Sequence, residues 1–208
     1  MKRFTMVVAG LGMLFFTATA QALPLCGAGS GPCRDGLAFG AFFGGLAVEG
    51  ALVKARDGVG AIGHFTTAFE SFIDATVKLD DPSLSDDEKC SQASNEDERG
   101  LAEAARGVRD VAKLKLQQFT SELAFNTLRN YSTMLTSFMI EVVAFNIDEV
   151  EALGGNPDRI LEARSRVTKA GLAILKGDVA AAADYAQRAY DLISGDANTG
   201  PDCLVGRL

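Results

Sequence analysis

The sequence predicts an all-α protein: an antiparallel bundle of five or six helices, one of them long and heptad-like, held by two disulfides. Three observations carry this expectation. Apolar residues recur at steps of three and four along most of the 208 residues, and no convincing alternating run reads as a strand. Start and stop residues bracket the periodic segments, with Ser85, Asn95, Asn156 and Asp178 as caps and Gly154, Gly155 and Gly177 as terminators. A hydrophobic content of 48% is enough to build a packed core.

The N-terminus reads as an export signal. Lys2 and Arg3 precede an apolar stretch from Met6 to Phe16, and Ala20 and Ala22 supply the small residues that a signal peptidase reads. Residues 1–22 are expected to be removed, which places the protein in the periplasm or outside the cell. A lipoprotein site at Cys26 is disfavoured because the bulky Leu25 stands where a small residue belongs. Cleavage leaves about 186 residues, a length suited to one domain. It also removes two cations, taking the formal charge from -7 to -9. So acidic a protein is a poor candidate for gripping nucleic acid or anionic lipid by charge.

All four cysteines, Cys26, Cys33, Cys90 and Cys203, follow the expected cut. An even count in an oxidising compartment implies two disulfides with three connectivities. The favoured pairs are Cys26–Cys33, closing a turn at 23–35, and Cys90–Cys203, tethering a tail at 197–208 to the bundle at 36–196. A zinc site is not expected, since the chain has no C-x-x-C and a single histidine.

The first predicted helix runs from about Gly36 to Arg56, after Asp35 as cap. Eleven of the 22 glycines fall between Gly27 and Gly63. Gly36, Gly40, Gly44, Ala47, Ala51, Ala55 and Gly58 form a small-residue stripe. Such a stripe allows close backbone approach, either in a membrane or inside a soluble bundle. Glu49 interrupts the uncharged run, and Gly36–Val53 is at the short limit for a bilayer span. A buried core helix is therefore favoured over a membrane anchor or oligomerising helix.

A second helix, from about Gly60 to Val77, carries Phe65, Phe69, Phe72 and Ile73 on one face. An acidic loop over 80–94 follows. A helix starting near Asn95 either continues to about Leu153 or breaks near Asn126. Its seam is Leu128, Tyr131, Leu135, Phe138, Val142 and Phe145. Asn156 and Pro157 start a helix to Lys176. Asp178 caps the last helix, which reaches about Ser194.

Few residues carry chemistry. His64 reads as a histidine hydrogen-bonded beside the core. The competing function is axial haem ligation with Met134 or Met139. A di-iron bundle is excluded, because Ala61 stands where its Glu-x-x-His motif needs an acid. "CGAGSGPC" is neither a nucleophile elbow nor a phosphate loop. Asp80, Asp81, Asp86, Asp87 and Glu88 lack the EF-hand order, and a solvated surface explains them better than calcium or a glycosidase pair. No catalytic residue, cofactor or metal is assigned. These acids, with Tyr185 and Arg188 on the last helix, are the expected interaction surface for a protein partner of unknown identity. A haem carrier or hydrolase ranks below both the contact protein and the membrane-associated protein.

The segment "AGLAILKGDVAAAADYAQRAYDLI", at about 170–193, resembles the later part of a tetratricopeptide repeat. Gly177 and Asp178 match its turn, and Ala182, Ala186 and Ala189 match its small packing positions. The repeat's earlier tryptophan, leucine and glycine positions are not matched, and no second copy follows at its interval. The resemblance implies protein binding. In outline the chain is also similar to exported helical-bundle inhibitors of plant cell-wall enzymes, which carry two disulfides. Its cysteine spacing departs from theirs, and no function is carried over.

Overall fold

A computed structural model describes residues 59–119 and 121–197, together with Ala38, Gly40 and Ala41, which are helical. Five helices follow in order: α1 (Val59–Asp80), α2 (Asp86–Lys113), α3 (Glu122–Ala152), α4 (Pro157–Leu175) and α5 (Val179–Ala197). A 3₁₀ turn at Leu116–Gln118 lies between α2 and α3. No strand occurs among the described residues, so the all-α expectation holds.

α1 and α2 form an antiparallel hairpin whose interface is a row of rings set into glycines. Phe65 lies over Gly107, and Phe72 lies over Gly100. The two phenylalanines and the two glycines are each seven residues apart, two helical turns, so both contacts repeat in register. The turn between them is short, and here the structure corrects the sequence reading. The acidic segment 80–94 is not a loop, because α2 begins at Asp86 and not near Asn95. Ser85 accepts from the Glu88 backbone N–H, and the Glu88 carboxylate accepts from the Ser85 N–H at 2.9 Å. This reciprocal capping box satisfies donors that a helix start otherwise leaves open.

Of the two alternatives for the long helix the broken one holds, with the break displaced: it falls between Lys113 and Glu122, upstream of Asn126. Leu114 and Phe119 turn inward there, and Phe119 meets Phe125 edge-on at 5.0 Å between centroids. Ser121 then caps α3, accepting from the Ala124 N–H at 3.1 Å. Burial of these apolar side chains outweighs the hydrogen bonds that an unbroken helix would add. On α3, Leu128, Tyr131, Leu135 and Val142 are buried as expected. Phe138 only packs against the core from its edge, and Met139 occupies the interior position instead.

α3 ends with Gly154 at φ 80, donating to Glu151 O, while Gly155 donates to Val150 O. α4 ends the same way: Gly177 at φ 76 donates to Ile174 O, and Asp178 donates to Ala173 O. Both are left-handed caps that glycine adopts without strain. Asn156 caps α4 and Asp178 caps α5, as the sequence predicts.

α5 is the centre of the bundle and packs against α2, α3 and α4. Ala182, Ala183, Ala186 and Ala189 are all fully buried, and their small side chains let three neighbours approach at once. Arg109 of α2 meets Asp184 of α5 at 3.1 Å, and Glu98 of α2 lies close enough to Asp191 of α5 to act on its charge. Rising numbers on one helix against falling numbers on the other make α2 and α5 antiparallel. The result is a row α1–α2–α5–α4 with α3 across it, so α1 and α4 are its two outer edges.

Most of the first predicted helix lies outside the described residues. Where it is described it is buried. Ala38 and Ala41 are in the core, and a Cβ at Gly40 would stand 3.1 Å from Leu135 Cδ1. This one position of the small-residue stripe therefore meets α3 at close range.

Candidate functional site

His64 projects from α1 between two carboxylates of α2. Its Nδ1 is 2.6 Å from Glu103 Oε2, and its Nε2 is 3.6 Å from Asp110 Oδ2. Glu103 also pairs with Arg106, and Asp110 pairs with Lys113 at 2.8 Å. Gly60 makes room for the Asp110 carboxylate, which lies 3.0 Å from where a side chain would begin. Both ring nitrogens thus face acids, Nδ1 within hydrogen-bond distance and Nε2 at ion-pair distance. Among the described residues neither nitrogen has a hydrogen bond to a serine or threonine oxygen or to Met134 or Met139. Nucleophile activation or axial haem ligation would require breaking one of these contacts. The arrangement does what the sequence reading expects of a histidine beside the core: it ties α1 to α2.

The acidic residues are spread over different tasks. Asp80 is exposed at the end of α1. Asp81 accepts from the Ser83 hydroxyl at 2.6 Å and from its N–H at 2.9 Å, and these bonds hold its carboxyl below the ordinary range. Glu88 is engaged in the capping box, and its bonds from the Ser85 hydroxyl and N–H lower it likewise. The side chains of Asp86 and Asp87 lie outside the described residues. Tyr185 is half-buried and Arg188 exposed, both on α5. Since α2 and α5 are antiparallel, Tyr185 sits about 18 Å along the axis from the end of the bundle that holds the acidic turn. The acidic turn and the α5 pair therefore lie at separate places on the bundle.

Asp191, one turn beyond Arg188 and partly exposed to solvent, lies beside Glu98 of α2 and Arg166 of α4. Burial raises its carboxyl above the usual value, and a 2.6 Å bond from the Gln187 amide partly opposes this. Among the described residues no group of three or more His, Cys, Asp or Glu is placed to hold a metal ion. Of the cysteines, Cys26, Cys33 and Cys203 lie outside the described residues. Cys90 lies on α2, but its side chain is not described, so neither disulfide is visible.

What sequence reasoning missed lies on the outer edges of the row. α4 turns Leu161, Leu172 and Leu175 to solvent, at 70%, 51% and 83% exposure. They fall on one face with Ser165 and Thr168, flanked by exposed Lys169 and Lys176. α1 exposes Ile73 and Val77, at 40% and 57%, on a face shared with Glu70, Asp74 and Asp80. None of these two lysines and three acids is ion-paired among the described residues. The α4 strip runs over fifteen residues from Leu161 to Leu175, about 21 Å of helix, and the α1 strip over eleven from Glu70 to Asp80, about 15 Å. Spacing alone could not find them, because a leucine row at helical intervals reads as core.

The TPR-like segment does form a helical hairpin, α4 and α5, with its alanines buried between the helices. Comparison of the chain with protein-family models, curated proteins and solved structures finds no match. No helix among the described residues is long and apolar enough to cross a membrane.

Proposed function

We propose that the protein is exported to the periplasm or beyond and acts by contact with protein, as an adaptor, inhibitor or structural element of the envelope, and not by catalysis. The observation that carries this reading is the leucine row of α4. Three large apolar side chains on one outward helical face mark a binding surface more often than chance exposure, because isolated leucines at a surface do not line up. The tie of His64 to Glu103 and Asp110 supports a structural role for the one residue on which an enzymatic or haem reading would rest. Two disulfides, Cys26–Cys33 and Cys90–Cys203, belong to the same reading.

Site-specific photo-crosslinking in the exporting cell tests it. A photoreactive residue at Leu172 or Leu175 is expected to give a discrete light-dependent protein adduct, and one at the exposed Glu141 of α3 is expected to give none. Absence of any adduct at either leucine overturns the proposal.

The competing reading, a membrane-associated protein anchored through Gly36–Val53, is disfavoured by the close approach of Gly40 to Leu135 and by the burial of Ala38 and Ala41. Release of the protein into the soluble fraction on detergent-free extraction would remove it. Retention with the lipid would restore it.

A further inference from the structure

Among the described helices, the two outer edges of the row carry exposed apolar residues flanked by charges of opposite sign. We propose that they are two halves of one contact, so that α4 of one copy docks against α1 of a second copy. This rests on the reading that the protein works by protein contact, and it names the partner as the chain itself.

The argument is one of complementarity. The α4 strip offers Leu161, Leu172 and Leu175 with Lys169 and Lys176 beside them; the α1 strip offers Ile73 and Val77 with Glu70, Asp74 and Asp80. Among the described residues neither set of charges is ion-paired. In a protein of net charge -7, a basic apolar face repels few of its own acidic neighbours and attracts an acidic one. The helices also run the right way. α1 is antiparallel to α2, α2 to α5, and α5 to α4, so adding a second copy beyond α4 sets its α1 antiparallel to that α4. A register with Leu172 against Ile73 brings Lys176 alongside Glu70 and Lys169 within a turn of Asp74. Because the two surfaces differ, the contact is heterologous: each copy keeps one edge free, and assembly proceeds to a ring or an open row.

Sedimentation of the mature full chain tests the contact. The mass-average is expected to climb with concentration from about 1 μM upward, since a contact of this size is weak. It should fall with added salt. Lys169→Glu with Lys176→Glu is expected to weaken association by about tenfold or more, and so is Glu70→Lys with Asp74→Lys. Mixing the two variants restores opposite charges at every junction and is expected to restore association. Circular dichroism of each variant checks that these exposed substitutions leave the helices intact. A wild-type chain that stays monomeric at several hundred micromolar overturns the proposal, as does a mixture no more associated than its parts. If such a monomer still gives a Leu172 adduct with a different protein, the self-contact fails while the reading of a contact protein stands. If it gives no adduct, both fail.

Discussion

Phe72 lays its ring into the gap left by Gly100: a methyl group at Gly100 would stand 2.6 Å from Phe72 Cε1 and 2.8 Å from Cδ1 and Cζ. Gly107 holds Phe65 in the same way one heptad along. Glycine inside a helix costs about 1 kcal/mol relative to alanine, and here the closeness of α1 to α2 is what it makes possible.

Gly100→Ala is therefore expected to destabilise the protein although alanine is the better helix former. Displacing a buried ring costs about 1–3 kcal/mol, against about 1 kcal/mol of recovered propensity. Gly171 on α4 is the control, because nothing lies within 4 Å of its missing side chain. Gly171→Ala should raise stability by about 1 kcal/mol. Denaturant midpoints of the two variants check the contrast, and a stabilised Gly100→Ala would show that the ring is loosely held.

Asp191 supplies a pH dependence of definite sign. Burial raises its folded-state pKa, so the folded protein holds this proton more tightly than the unfolded chain does. Its contribution to stability is greatest at low pH and is lost as pH rises through the carboxylate range. Asp191→Asn is expected to raise the melting temperature at pH 7 and to bring no gain below the carboxylate range. An equal gain at both pH values would locate the effect in the amide's own hydrogen bonds.

The α2 cap predicts the reverse sign. Bonds from Ser85 hold Glu88 below its ordinary value, so this stabilisation is present above the unfolded pKa and is lost as pH falls. Ser85→Ala removes both sides of the hydroxyl exchange and is expected to cost about 1 kcal/mol at neutral pH. Acidification should shrink that cost. Hydrogen exchange of the amides from Lys89 to Ala93 reads the fraying directly.

Helix ends with polar caps were legible in the sequence. Asn156 with Pro157, and Gly177 with Asp178, fall where the structure places them. Ser85 was legible as a cap, but the start of α2 was placed near Asn95 for a physical reason. Residues 86–92 carry no apolar period, so their helicity rests on the capping box and on Ala93 and Leu101, which are buried further along. The break, which the sequence offered near Asn126, was misplaced for the opposite reason. No glycine or proline stands between Val111 and Phe125 to mark it, and the burial of Leu114 and Phe119 goes with the end of the helix. The glycine notches had a signal, two pairs each seven apart, but it means nothing until α1 and α2 are known to be partners. The leucine face of α4 had none, since period does not distinguish a core from a docking face.

Helix direction supports the proposed disulfide between Cys90 and Cys203. Arg109 opposite Asp184 and Glu98 close to Asp191 run α5 towards the start of α2, so the chain leaves α5 at Ala197 at the end of the bundle where Cys90 lies. Cys203 lies six residues beyond Ala197, a short tail for that pairing, and Cys26 and Cys33, seven apart, are expected to pair with each other. Non-reducing peptide mapping of the mature chain is expected to recover Cys90 joined to Cys203. Replacing both by serine should cost about 4–5 kcal/mol, the loop-entropy value for so long a closure. A peptide joining Cys90 to Cys26 or Cys33 would overturn the assignment, and with it the expectation that the tail is held against the first turns of α2.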